Sequence, residues 1–118
     1  MGTFRYQIAL GNPTGTEFEV LNALVDTGAT YTFVPSSLLN RLEVEPMETV
    51  EFTLANGSKI KRDIGQTHIR AAGKQAITFV VFAEEGDAAL LGSYALEGLR
   101  LAVDPYNSRL IPNELLLV

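Results

Sequence analysis

From Phe4 to Leu10 the chain alternates, with Phe4, Tyr6, Ile8 and Leu10 on one face of an extended strand and Arg5 and Gln7 on the other. The same period returns at 50–54, where Val50, Phe52 and Leu54 oppose Glu51 and Thr53, and at 67–71, where Thr67, Ile69 and Ala71 oppose His68 and Arg70. Side chains that repeat every second residue suit a pleated sheet and scatter around a helix. Turn-forming stretches separate these runs: "GNPTG" at 11–15, "ANGS" at 55–58 with its Asn-Gly hairpin signal, "AAGK" at 71–74 and "EEGD" at 84–87. "TEFEVLNALV" reads as a second strand whose end, Leu21 to Val25, is apolar on nearly both faces, as a central strand requires. "TYTFVP", "QAITFVVFA" and "LRLAV" add further strands, and Gly65 suggests a bend or bulge in the long return strand. Pro35 or Ser36 suits the start of a short helix, and Ser93 and Gly98 suit the cap and end of another. The expectation is an all-β chain of about eight to ten short strands with one or two small helices, forming a single domain over 1–118.

Composition narrows the chemistry. The chain has no cysteine, so disulfides, thiolate metal sites and thiol nucleophiles are excluded together. Its single histidine, His68, lies on the more polar face of a strand and reads as an ordinary surface or packing residue, so neither a metal nor another cofactor is expected. The net charge is −5, and the one basic group, Lys59, Lys61 and Arg62, is too small for a nucleic-acid footprint and reads as the wet face of a strand. No apolar run approaches a membrane span, and the start "MGTFRYQIAL" has no signal-peptide core; the expectation is a cytoplasmic protein.

One stretch asks for more than a fold. In "LVDTGAT", residues 24–30, an apolar strand delivers Asp26 and a glycine follows two positions later. Asp-Thr-Gly alone is weak, since average residue usage places it by chance in about two of every hundred chains this long. Its setting is stronger. The strand should hold the Asp26 carboxylate near the core, Gly28 permits close backbone approach, and Thr27 can bond to main chain and brace the loop. Later comes "ALLG", an apolar run ending in Gly92 and leading into a helix, and between the two lies a polar-tipped hairpin that could fold over a ligand.

As a set, "ALVDTGATYTFVP" at 23–35, "ANGSKI" at 55–60 and "LLGSYALEGLRLAVDP" at 90–105 resemble the retropepsin-like aspartic proteases, in particular the small prokaryotic predicted aspartyl proteases of that clan. The resemblance runs from about Phe4 to Pro112. It implies a closed barrel of short strands, and an endopeptidase in which Asp26 is the general acid/base. Thr27, Gly28 and Ala29 would complete the active-site loop, Ala55, Asn56, Gly57 and Ser58 the tip of a flap over an extended peptide, and Leu90, Leu91 and Gly92 the support beneath the loop. Many relatives carry an acid or serine at the position of Thr30, and an arginine or other polar partner at that of Ser93.

This chemistry needs two carboxylates on one water, and the chain has one Asp-Thr-Gly. Asp63, Asp87 and Asp104 stand in a charged strand, a turn and before a proline. The second acid is therefore expected from Asp26 of another copy, in a homodimer with the site on its two-fold axis. "ELLLV" at 114–118 could dock on its own sheet or, as the need for a dimer favours, form a strand shared with the partner. The alternative function is a catalytically inert, dimeric peptide-binding module of the same fold; a β-barrel unrelated to proteases would leave the hairpin and the "LLG" helix as coincidences.

Overall fold

Alternation along β1 (Phe4–Gly11) becomes burial: Ile8 and Leu10 enter the core while Arg5 and Gln7 stay exposed. The computed structural model describes residues 3–113, which form nine strands and two short helices. After β1 come β2 (Phe18–Val25), β3 (Thr32–Pro35), α1 (Ser36–Arg41), β4 (Glu48–Thr53), β5 (Lys59–Ala71) and β6 (Lys74–Ala83). The two-residue β7 (Leu90–Leu91), α2 (Ser93–Gly98), β8 (Leu101–Asp104) and β9 (Arg109–Pro112) follow. Residues 114–118, where a strand shared with a partner was expected, lie outside the described residues.

Seven strands form one sheet in the order β1-β2-β7-β3-β6-β5-β4, and β8 and β9 form a separate pair. β5 also pairs with β1, Ala9 opposite Arg70 and Leu10 opposite Ile69, so the order returns to its first strand. The enclosed face holds Ile8, Leu10, Val34, Ile69, Val80, Leu91 and Leu99, each almost wholly removed from water. Leu38 and Leu39 of α1 and Ala95 and Leu96 of α2 close the same core. This is a mostly-β architecture of short strands with two small helices, as the alternation led one to expect.

The tiny β7 organises the rest. It runs parallel to β2, Leu24 beside Leu90 and Val25 beside Leu91, and on its other side meets β3, Phe33 beside Leu90. β2 and β3 are therefore not neighbours, although only residues 26–31 separate them. The loop bearing Asp26 has to pass around the end of β7.

Three expectations change. Of the bend or bulge expected at Gly65, the bulge is excluded: the register runs unbroken through Ile64–Val81, Gly65–Val80 and Gln66–Phe79. A Cβ there would lie 2.9 Å from the Glu45 carbonyl oxygen and 3.2 Å from Phe82 Cε1, so close approach explains the glycine. Ser93 does not cap α2; the N-cap position is Gly92, and no side chain caps the helix. Arg62 is not on a wet face. Its side chain is 14% exposed and forks onto Asp87, itself 18% exposed, with Nε donating to Oδ2 at 2.7 Å and Nη2 to Oδ1 at 3.1 Å. Alternation placed Arg62 beside charged neighbours but could not show the turn at 84–87 arriving beside it.

That pair carries a pH dependence. The Arg62 hydrogen bond holds the Asp87 carboxyl below its ordinary 3.8, against the opposing effect of burial and with help from the Glu84 N–H. A folded-state value lowered in this way contributes stability above the unfolded value, and the contribution is lost as pH falls through the lowered one. Denaturant unfolding of Asp87→Asn beside wild type should show the variant less stable at neutral pH. The gap should close as the pH falls below the ordinary 3.8. The comparison cancels Glu19 and Asp104, whose carboxyls are lowered chiefly by Arg41 and by Asn107.

Candidate active site

Val25 ends β2 in the core, and the next residue leaves the sheet. The Leu24 N–H donates to the Ala89 carbonyl at 2.9 Å, and the Asp26 N–H to the Leu91 carbonyl at 3.0 Å. These two bonds fix the main chain on both sides of Val25. The chain then turns tightly, with the Ala29 N–H donating back to the Asp26 carbonyl at 3.1 Å. Within the turn the Gly28 N–H donates to Asp26 Oδ1 at 2.9 Å, which orients the carboxylate. A Cβ on Gly28 would sit 3.2 Å from that oxygen, so the glycine leaves the acid room. Asp26 is half-buried, less enclosed than its strand suggested, and Thr27 and Gly28 are exposed.

The far side of the loop is anchored to the start of α2. The first N–H groups of a helix have no partner within it. Here Ser93 N–H donates to the Ala29 carbonyl at 2.8 Å and Tyr94 N–H to the Thr30 carbonyl at 3.0 Å. Gly92 N–H donates to Thr32 Oγ1 at 3.1 Å, and both residues are buried. A Cβ on Gly92 would lie 2.6 Å from the Tyr31 carbonyl oxygen and 2.9 Å from that of Ala29, positions no side chain tolerates. Main chain thus joins loop to helix, from Ala29 and Thr30 to Ser93 and Tyr94.

Two hollows meet at this loop. One, of about 260 Å³, is lined by Thr3, Phe4, Val25, Asp26, Thr27, Gly28 and Val103. The other, of about 430 Å³, lies between the loop and the β4–β5 hairpin; Tyr31, Phe33, Phe52, Leu54, Ala55 and Leu90 are among its walls. Asp26 and Gly28 line both. Asp26 is the sole carboxylate among the described residues of either lining. Among the described residues no three His, Asp or Glu side chains gather closely enough to hold a metal ion, and no helix is long and apolar enough to cross a membrane.

The structure sorts the expected residues. Leu91 is wholly buried beneath the loop, whereas Leu90, expected only as support, also lines the cleft. Of the four hairpin-tip residues, Ala55 lines the cleft, and Asn56, Gly57 and Ser58 build the turn beyond it. There the Leu54 N–H donates to the Ser58 carbonyl at 2.8 Å, Asn56 Oδ1 accepts the Ser58 N–H at 2.9 Å, and Gly57 takes φ 86°. The aromatic wall was missed. Tyr31 lies edge-on to Phe52, Phe79 and Tyr94, and Phe33 to Phe52, with ring centres 5.6–6.4 Å apart. Its signal was available, because period two in "TYTFVP" puts Tyr31 and Phe33 on the face opposite the buried Thr32 and Val34.

Residues 16–98 match the family described as "gag-polyprotein putative aspartyl protease". Among solved structures, the solution structure of Simian Foamy Virus (mac) protease matches with a TM-score of 0.56. The two are 22% identical, and the match covers 80% of this chain and 92% of that one, a likeness of fold. No curated protein matches the chain.

Thr32→Val keeps the shape of the side chain and removes the acceptor of the Gly92 N–H. It should cost about 1–3 kcal/mol, as a buried donor left without a partner does, measured by denaturant unfolding at neutral pH.

Proposed function

This chain belongs to the gag-polyprotein aspartyl protease family, and we propose that it is an aspartic endopeptidase whose site is completed by a second copy of itself. The observation that carries the proposal is the placement of Asp26: one oriented carboxylate, on a loop fixed at both ends, facing an apolar cleft and bordering a second hollow. One carboxylate cannot both activate a water and protonate a carbonyl in the same step. The other aspartates of the chain are engaged elsewhere: Asp63 with Thr49, Asp87 with Arg62, and Asp104 with Asn107 and Arg109.

In the proposed dimer the two Asp26 carboxylates meet on the two-fold axis. Two acids about 3 Å apart cannot both ionise, a general property of this enzyme class, so the pair holds a single proton. The charged member takes a proton from water as the oxygen attacks the scissile carbonyl, and the neutral member gives its proton to the carbonyl oxygen. Collapse of the resulting diol then passes a proton to the departing amine. Thr27, exposed beside Gly28, would brace the two loops against each other, and the β4–β5 hairpin would close over the peptide as a flap and exclude water. An extended substrate would be held mainly through its main chain, as an added strand is.

Cleavage of a diverse mixture of unstructured peptides, measured from acid to neutral pH at high protein concentration, tests this. Wild type should cleave, with activity falling as the second acid ionises, and Asp26→Asn should lose about 10²–10⁴-fold. No cleavage at any pH by a protein shown to be dimeric would overturn the peptidase reading and leave the inert peptide-binding module.

A further inference from the structure

The β4–β5 hairpin and the Asp26 loop are held by the same stretch of chain. Residues 84–94 run from the turn after β6 through β7 into α2. The end of this stretch grips the loop through the Ser93 and Tyr94 N–H groups, and its middle through the Ala89 and Leu91 carbonyls. Near its start, two residues before Ala89, stands Asp87 with the Arg62 fork.

Arg62 occupies a particular place in β5. The strand pairs with β4 from Lys59 to Ile64 and with β6 from Ile64 to Ala71. At Arg62 the hairpin has already left β6, and its backbone neighbour is β4 alone. Contacts of the hairpin with the body of the protein are then made by side chains: Phe52 against Tyr31 and Phe33 above the cleft, and Arg62 on Asp87 at the root.

The root contact is built, not casual. Asp87 is fixed in its own turn before it meets Arg62, since its Oδ2 accepts the Glu84 N–H at 2.8 Å and its N–H donates to the Glu84 carbonyl at 2.9 Å. Both of its oxygens accept from the guanidinium. Arg62 Nη1 donates to the Lys61 carbonyl at 2.8 Å and lies 3.6 Å from Glu84 Oε1. The other ion pairs among the described residues differ: in Arg41–Glu19 and Lys59–Glu51 every side chain is at least 36% exposed, and in Arg109–Asp104 the arginine is 62% exposed. Exposed pairs of that kind contribute little, whereas a forked pair with both partners largely covered fixes geometry as well as charge.

We infer that Arg62 is a positioning residue: through its fork onto Asp87 it sets how the β4–β5 hairpin stands over the cleft and ties the hairpin to the segment that holds the Asp26 loop. Its consequence for catalysis rests on the peptidase reading; the mechanical tie does not. Loss of the fork should free the hairpin at its root while β1, β2 and β6 keep their pairings.

Hydrogen exchange on wild type, Arg62→Met and Asp87→Asn tests the tie directly. In both variants amides of 48–53 and 59–63 should accelerate about tenfold more than amides of β1 and β6, whose rates change only as far as global stability does. With a cleavable peptide, both variants should raise KM by a larger factor than they lower kcat. Unchanged exchange in the hairpin would overturn the inference. So would uniform acceleration in every strand, which is the mark of a merely stabilising pair. If wild type cleaves nothing, the peptidase proposal falls, and the exchange pattern alone still decides whether Arg62 positions the hairpin.

Discussion

The hydrogen bond from the Asp26 N–H to the Leu91 carbonyl is the point from which the rest of the site can be reconstructed. At Asp26 the chain leaves a central strand and at Gly92 it leaves a two-residue one, so main-chain groups on both sides lose their sheet partners within the protein interior. Buried main-chain groups must be satisfied. Here the two chain segments satisfy each other: along the β2–β7 pairing the Ala89 and Leu91 carbonyls accept from Leu24 and Asp26, and beyond it the Ala29 and Thr30 carbonyls accept from Ser93 and Tyr94. Thr32 supplies the acceptor that the main chain lacks, for the Gly92 N–H. Gly92 is a glycine because this mutual approach leaves no space for a Cβ beside the Tyr31 carbonyl.

What this stitching achieves is a carboxylate held in one orientation at the edge of the protein. Asp26 needs no second side chain to aim it, because the Gly28 N–H does so from within the same turn. The wall above it is apolar and aromatic, which suits the proposed binding of a peptide and the exclusion of water. The hairpin that covers this cleft leans on it through Phe52 and is moored at its root through Arg62. Hairpin and acid therefore share one support, residues 84–94.

Much of this was legible in the sequence, and the parts that were not share a cause. Period two showed β1, β4 and the second half of β5 with their faces, and Asn-Gly marked the hairpin at 55–58. Asp-Thr-Gly and Leu-Leu-Gly stood out as motifs, and the family match agrees with the resemblance they carried. Periodicity describes one strand at a time. It could not show that a strand as short as β7 lies between β2 and β3, or that α2 begins on the loop carbonyls instead of on the Ser93 side chain. The glycine at 65 was visible; its reason, the Glu45 carbonyl, lies twenty residues away in sequence and next to it in space. Arg62 looked like surface charge for the same reason, since its partner comes from a distant turn.

In the proposed dimer one chain is half of a catalytic site. Mixing wild type with Asp26→Asn at fixed total protein, under conditions in which subunits exchange, tests it most directly. If the two carboxylates come from two copies, every mixed dimer is inactive and cleavage follows the square of the wild-type fraction, leaving about a quarter of the activity when half the subunits are replaced. Activity that falls only in proportion to the wild-type fraction would mean that each chain works alone, and would contradict the account.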